Sequence, residues 1–226
     1  MMTNIIKVGL AALCLGLGVA PVQALVIGEA DDVNGMPFGG NVGGYYYQQI
    51  YSAGAFDGPI SIDAISFYNS LLPGGQPRSG PFVLFLSTTD LDVSSFDTTN
   101  GVDYPWFDAS FTEVFNGEAP AVADGRLVFD LTAGFDYDPA QGNLVLTVRE
   151  FSLSQDSGLF LDVDENDGLT NSRFYSYPYD WNQGLVTGFN DTAAAVPEPA
   201  SWALMIGGFA LAGGVLRRHG VAIRFA

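Results

Sequence analysis

The stretch Ile60-Ser61-Ile62-Asp63-Ala64-Ile65-Ser66-Phe67 alternates apolar and polar side chains almost strictly. A period of two is typical of a β-strand that has one face in a core and the other in a polar environment. Similar alternation occurs at residues 82–86, 127–131 and 144–148. These four segments predict strands that bury one face each, and the rest of the chain is interpreted around them.

Five further segments are predicted as strands from their aromatic and β-branched content: residues 46–51, 108–114, 158–163, 172–177 and 185–189. Glycine, proline, asparagine and aspartate are concentrated between the strands, as expected for turns. No convincing helical pattern interrupts them. The sequence therefore predicts an all-β fold, an antiparallel β-sandwich that is jelly-roll-like, flanked by two terminal apolar helices.

Size and charge exclude several classes of protein. The chain has 226 residues, with 25 acidic and 8 basic side chains and a net charge of −17. That length allows one domain with a sizeable core. A surface this negative repels phosphate backbones, so we expect no nucleic-acid partner.

The first 24 residues have the pattern of a signal peptide. Lys7 precedes an apolar run at residues 8–19, and Val22-Gln23-Ala24 offers small residues for cleavage between Ala24 and Leu25. A membrane-anchoring helix is the alternative, although the run is shorter than the ~20 residues that a span needs. Lipidation at Cys14 is disfavoured because Leu13 stands where a small residue is expected.

The C-terminal end has three parts in a fixed order. Pro197-Glu198-Pro199 is followed by Trp202, by an apolar stretch that ends at Leu216, and by Arg217 and Arg218. As a helix, residues 200–216 reach about 25 Å, close to the lower limit for crossing a bilayer. The arginines place the end of this helix in the cytoplasm by the positive-inside rule.

This tail resembles the PEP-CTERM sorting signal of Gram-negative bacteria that make exopolysaccharide, a tail also catalogued as an ice-binding protein C-terminal motif. The resemblance covers residues 196–218 and implies recognition by exosortase, a membrane transpeptidase-like enzyme. Cleavage at or near Pro197-Glu198-Pro199 would then release the preceding domain or attach it to the envelope. Residues 219–226 extend beyond the usual end of such tails.

The preceding domain also resembles one that is common among PEP-CTERM proteins. The similarity lies in Gln48-Gln49-Ile50-Tyr51, in Tyr137-Asp138-Pro139 followed by Gly142-Asn143-Leu144, and in Ser172-Arg173, among other short segments. It supports the sandwich fold and implies no particular activity.

The predicted organisation is a signal peptide at 1–24, a β-sandwich passenger domain at 25–190, a linker at 191–196 and the sorting signal with its transmembrane helix at 197–226. Residues 25–196 contain four arginines and 24 acidic residues, a net charge of −20, and no cysteine, lysine or histidine. Nucleophilic catalysis of the Ser-His or Cys-His kind and a histidine zinc site are therefore excluded in the passenger domain.

Two kinds of oxygen-based chemistry stay open. Glu113, Glu118 and Glu150 are the better general-acid candidates if the domain is a glycan hydrolase that uses a carboxylate pair. Asp162, Asp164, Asn166 and Asp167 concentrate side-chain oxygens after a strand, as a calcium ion requires. The spacing departs from that of an EF-hand, and a solvated acidic turn is the alternative. Calcium is thus the only cofactor that the sequence suggests.

Aromatic residues suggest a sugar-binding surface. Tyr175, Tyr177, Tyr179 and Trp181 alternate along one segment, and Pro178 places part of it in a loop or on an edge strand. Flat aromatic faces stack on sugar C–H groups while nearby polar groups bind hydroxyls. Aromatic side chains are also common core material, which is the alternative.

We therefore expect a non-catalytic exported protein of the cell surface or extracellular matrix that is associated with exopolysaccharide or biofilm. Its expected partners are signal peptidase, exosortase, exopolysaccharide and, transiently, the inner membrane. A secreted glycan hydrolase and a purely structural envelope protein are the alternatives.

Overall fold

The computed structural model describes residues 24–40, 46–95, 110–151, 156–165, 168–174 and 183–192. These residues form twelve β-strands and three single turns of 3₁₀-helix at Ala53–Ala55, Val93–Ser95 and Pro139–Gln141. The strands are β1 (Leu25–Ile27), β2 (Asp32–Asn34), β3 (Tyr46–Tyr51), β4 (Ile60–Tyr68), β5 (Pro81–Thr89), β6 (Thr112–Glu118), β7 (Arg126–Tyr137), β8 (Asn143–Glu150), β9 (Leu161–Glu165), β10 (Thr170–Phe174), β11 (Gln183–Leu185) and β12 (Thr187–Phe189).

The strands form three sheets in which every pairing is antiparallel. Their strand orders are β10-β3-β8-β5-β6 for the five-stranded sheet, β1-β12-β4-β7 for the four-stranded sheet and β11-β9-β2 for the three-stranded sheet. The predicted all-β, antiparallel, sandwich-like fold is confirmed. The predicted signal helix and transmembrane helix lie outside the described residues, and among the residues described no helix could span a membrane.

The core lies between the two larger sheets and depends on the predicted alternation. Along β8, Leu144, Leu146 and Val148 point into the core. Phe38, from the loop after β2, has its ring within 5.0–5.3 Å of the rings of Phe67 and Phe129 on one sheet and of Phe82 on the other. Burial of each such ring contributes about 1.5–3 kcal/mol. Phe38 therefore joins the two layers at their centre.

A bulge interrupts the ladder between β4 and β7. Ile62 pairs with Phe135, but Ala64 pairs with Asp130. An advance of two residues along β4 therefore corresponds to five residues along β7, so the extra residues lie on β7. The bulge changes the phase of β4, because the inward side chains before it are Ile60 and Ile62 and those after it begin with Ile65. The lapse in alternation at Ala64-Ile65 is the trace of this bulge in the sequence.

Asn190 fills the gap that the bulge leaves in the backbone hydrogen bonding. Its Oδ1 accepts hydrogen bonds from the backbone N–H groups of Asp63 at 2.8 Å and Ala64 at 3.2 Å, and its Nδ2 donates to the carbonyl of Ser61 at 2.8 Å. Its φ of 57° turns the chain back across the sheet. The Asn190 side chain thus supplies hydrogen bonds to backbone groups of β4 at the bulge.

Asp191 is bound to the outer face of the four-stranded sheet, although the sequence assigns it to the linker. The Tyr68 hydroxyl donates to its carboxylate, Arg126 pairs with it at 3.2 Å, and Ser66 Oγ donates to its carbonyl at 2.6 Å. Gly188 leaves the space for this contact, because a Cβ there would lie 2.5 Å from the Tyr68 hydroxyl. Burial, followed by the bond to Asp191, raises the pKa of Tyr68.

The strand predictions differ from the structure in their bounds, since the strand predicted at 108–114 is β6 at Thr112–Glu118, and in two further ways. Strands β1 and β2 were not predicted, because three residues are too few to show a period. The predicted single strand at 185–189 is wrong, since Val186 separates β11 from β12 and the two strands belong to different sheets.

A buried polar contact joins the closing segment, residues 183–191, to the five-stranded sheet. Gln49 on β3 is fully buried, and its Oε1 accepts from the N–H of Leu185 at 2.8 Å and from the Tyr47 hydroxyl. Its Nε2 donates to the Leu185 carbonyl at 2.9 Å. One glutamine side chain therefore satisfies both backbone groups of the residue that ends β11.

Replacement of Gln49 by leucine should lower the free energy of unfolding by about 3 kcal/mol. The apolar side chain leaves the Leu185 N–H without its buried acceptor, and it leaves the Leu185 carbonyl with the Thr187 hydroxyl at 2.8 Å as its side-chain donor. An unsatisfied buried group costs about 1–3 kcal/mol, and the lost second bond to the carbonyl adds to that. Urea denaturation followed by tryptophan fluorescence measures the change. Gln141→Leu, at an exposed position, is the control, and equal stability of the two variants would contradict the assignment.

Candidate functional site

The acidic segment that suggested calcium lies on β9. Leu161 and Val163 are in the core, so Asp162 and Asp164 point to the opposite side of the strand. Both carboxylates are nevertheless buried, with exposures of 1% and 7%. The two carboxylates therefore lie beneath neighbouring loops, and their contacts decide what they can bind.

Asp162 holds the loop that follows β4. Its carboxylate accepts hydrogen bonds from the Ser70 N–H at 2.9 Å, the Ser70 hydroxyl at 2.6 Å and the Leu71 N–H at 3.0 Å. The carboxylate of Asp164 accepts from the N–H of Glu29. Both predicted ligands therefore bind N–H or O–H donors in this structure.

Asn166 and Asp167, the other two predicted calcium ligands, lie outside the described residues. Within the described part of the chain, no group of three or more histidine, cysteine or acidic residues has the arrangement of a metal site. Calcium binding stays a prediction.

Asp162→Asn should lower the free energy of unfolding by about 2 kcal/mol. The donors of Ser70 and Leu71 now bind two carboxylate oxygens, whereas an amide offers them only one acceptor oxygen. The loss should be the same with calcium and with EDTA, as measured by thermal and urea denaturation. Asp57→Asn, an exposed carboxylate near β4, is the matched control. A destabilisation that occurs only with calcium would instead assign Asp162 to a metal site.

The three glutamates proposed as general acids occupy different environments. Glu113 and Glu118 are exposed on β6, where Glu113 accepts from Asn116 at 3.2 Å and Glu118 accepts from the N–H of Gly80 at 2.8 Å. Glu150 is buried at the end of β8. Only Glu150 of these three is withdrawn from solvent, as a raised carboxyl pKa would require.

Glu150 forms an ion pair with Arg78, whose side chain is also fully buried. Arg78 Nη1 donates to the Gly40 carbonyl at 2.6 Å, and the Arg78 backbone N–H donates to the Phe38 carbonyl at 2.8 Å. Burial lowers the pKa of Arg78, and the charge of Asp156 opposes that shift. The ion pair therefore connects the loop before β5 to the end of β8, and the hydrogen bonds of Arg78 connect the same loop to the one that carries Phe38.

Sequence reasoning missed Arg78, because it lies in a turn rich in proline and glycine where a solvated arginine is expected. The scarcity of basic residues could have drawn attention to Arg78, since it is one of only four arginines in residues 25–196 and no lysine is present there. An oppositely charged residue is the partner that buried arginine needs.

Glu150→Gln should lower the free energy of unfolding by about 3–5 kcal/mol, since it leaves the buried charge of Arg78 uncompensated. Glu113→Gln, at an exposed position, should change it by less than about 0.5 kcal/mol. The double variant Arg78→Met with Glu150→Leu should recover most of the loss, as measured by urea denaturation. Unchanged stability of Glu150→Gln would show that the pair has no structural role.

The four aromatic residues proposed for sugar binding, Tyr175, Tyr177, Tyr179 and Trp181, lie outside the described residues. Another aromatic group is described on the outer face of the five-stranded sheet. The guanidinium carbon of Arg149 lies 5.4 Å from the ring centre of Tyr46 and 4.2 Å from that of Phe151. Sequence analysis did not single out Arg149 or Phe151.

Two open depressions are present among the described residues. One of about 250 Å³ is lined by Pro59, Ile60, Ser61, Asp136, Tyr137 and Asp138. The other, of about 430 Å³, is lined by Thr88, Thr89, Asp90, Leu91 and Gln141. Neither contains a site residue predicted from the sequence.

The two predicted processing sites differ in how much is described. Ala24 is exposed, and Leu25 begins β1, where it pairs with Phe189 of β12. The sorting residues Pro197, Glu198, Pro199, Trp202, Arg217 and Arg218 lie outside the described residues.

Comparison of the chain with protein-family models, with curated proteins and with solved structures finds no match.

Proposed function

We propose that this chain is a non-catalytic exported protein of the cell surface or extracellular matrix. Signal peptidase cuts it between Ala24 and Leu25, and exosortase processes its PEP-CTERM tail at Pro197-Glu198-Pro199. The passenger domain then associates with exopolysaccharide in the envelope or biofilm. A jelly-roll-like connectivity, a signal helix and a short transmembrane helix belong to the same proposal.

The observation that carries the proposal is the position of the two ends of the described domain. Strand β1 begins at Leu25 and pairs with β12, which ends at Phe189 two residues before the bound Asp191. The residue after the predicted signal peptide and the last strand before the predicted tail are therefore neighbours in one sheet. This arrangement suits a domain that has a membrane segment on both sides during export, because both connections can then reach the same membrane without long linkers.

The charges beside the two apolar segments agree with this arrangement. Lys7 precedes the first segment, and Arg217 and Arg218 follow the second. The positive-inside rule places both charged ends in the cytoplasm and the domain between them outside. From Asp191, residues 192–196 span at most about 18 Å before Pro197. The sorting motif would therefore lie close to both the folded domain and the membrane.

The charge of the domain restricts how it can meet a polysaccharide. With a net charge of −20, residues 25–196 repel a polyanion unless divalent cations lie between them. Calcium is the ion that we propose for that role. Of its predicted ligands, Asp162 and Asp164 are buried and already accept hydrogen bonds from N–H and O–H donors, so a bridging ion would be held through Asn166 and Asp167. A neutral polysaccharide needs no such ion.

Mass spectrometry of the protein from its host tests the processing steps. We expect an N-terminus at Leu25 and a C-terminus at or close to Pro197, with cleavage lost in the variant Pro197→Ala with Glu198→Ala. Trp181→Ala is the control and should be processed normally. Recovery of extracellular protein that still contains Arg217 and Arg218 would refute sorting through this tail.

Sedimentation of the same protein with exopolysaccharide from its host, in calcium and in EDTA, tests the association. Retention supports a matrix role, and retention that depends on calcium supports the acidic segment as the bridge. Correct processing without retention would leave a structural envelope protein.

A further inference from the structure

The outer face of the five-stranded sheet is covered at one end and open at the other. Ile50 and Val145, at the covered end, are buried against Val93 and packed by Phe111. In the middle, Gln48 donates to Thr147 at 2.8 Å, and both residues are buried. At the open end, Tyr46 and Arg149 are paired across β3 and β8 and are only partly buried.

Phe151 extends this open end. Its N–H donates to the Pro81 carbonyl at 3.3 Å, which fixes the backbone beside β5. Its ring lies 4.2 Å from the guanidinium carbon of Arg149, yet 48% of the residue stays exposed. Since Arg149 lies over one face of the ring, a ligand that stacks on Phe151 has to do so on the opposite face. The three planar groups, Tyr46, Arg149 and Phe151, form what we name the stacked platform.

We propose that the stacked platform binds neutral pyranose chains by contact between Phe151 and the C–H face of a sugar ring. The proposal rests on the proposed association with polysaccharide, and it assigns that association to a surface whose Arg149 and Phe151 the sequence did not suggest. An exposed aromatic face next to polar groups has the chemistry that a sugar ring requires.

The platform holds Phe151 in position before a ligand arrives. A cation–π contact stabilises a ring by about 0.5–1 kcal/mol at an exposed site, and Arg149 is itself placed between two rings. A side chain fixed in this way loses less conformational freedom on binding. Phe160, the other exposed phenylalanine with 39% of its surface accessible, has no ring–cation contact among the described residues.

The expected ligand is neutral because of the charge around the platform. The domain carries 24 acidic residues and four arginines between residues 25 and 196. Of those arginines, Arg78 is paired with Glu150 and Arg126 with Asp191. The remaining two, Arg149 and Arg173, do not offset the repulsion that a polyuronate meets from 24 acidic residues, whereas a neutral chain is not repelled.

Native-gel retardation of the host-purified protein tests the platform with three probes embedded in the gel: dextran, glucomannan and polygalacturonate. We expect retardation by at least one neutral polymer and none by polygalacturonate without divalent cations. Phe151→Ala should weaken the retardation about tenfold or more, as expected for a central aromatic contact. Phe151→Trp should retain it, and Phe160→Ala is the matched control.

Urea denaturation of each variant checks that the fold is kept, and the same variants are sedimented with host exopolysaccharide. If host polysaccharide is retained equally by Phe151→Ala and by the original protein, the platform is refuted while the proposed function stands. Retention of host polysaccharide with no retardation by either neutral polymer, or with stronger retardation by polygalacturonate, refutes the neutral ligand. Absence of any retention by the original protein refutes both proposals.

Discussion

The fold depends on how residues 183–191 cross between the sheets. Within nine residues this closing segment supplies β11 to the three-stranded sheet and β12 to the middle of the four-stranded sheet, and it is bound by Gln49 of the five-stranded sheet. Because β1 has β12 as its partner in that sheet, the first described strand cannot pair until the last one is in place. The domain is therefore completed by its C-terminal residues, which join elements 136 positions apart.

The same segment determines where the domain ends. Asn190 takes over the backbone bonds at the bulge between β4 and β7, and Asp191 binds Tyr68 and Arg126 beyond it. The folded unit thus extends one residue past the predicted boundary at 190. This matters for the proposed processing, because the closing segment is bound to the sheets as far as Asp191.

Polar groups inside this protein act chiefly as connections between loops. Asp162 binds the loop after β4, and Arg78 with Glu150 joins the loop before β5 to the end of β8. Two residues that chemistry alone would select, a carboxylate for calcium and a glutamate for acid catalysis, therefore have structural partners. The remaining predicted ligands and aromatic residues lie outside the described residues, and their roles stay predictions. The exposed group at Tyr46, Arg149 and Phe151 became visible only when β3 and β8 were paired.

The sequence by itself determined the all-β class, the approximate positions of the longer strands and the inward faces of strands such as β8. These features follow from the period of two, which each segment carries locally. The tertiary structure decided the bulge between β4 and β7, the division of 185–189 between two sheets, the burial of Arg78 and the partners of Gln49 and Asp162. Each of these depends on a hydrogen bond or ion pair between residues distant in the chain, and local alternation contains no information about such partners. Charge composition likewise showed that cations are scarce, but only the packed loops determined which of them is buried with Glu150.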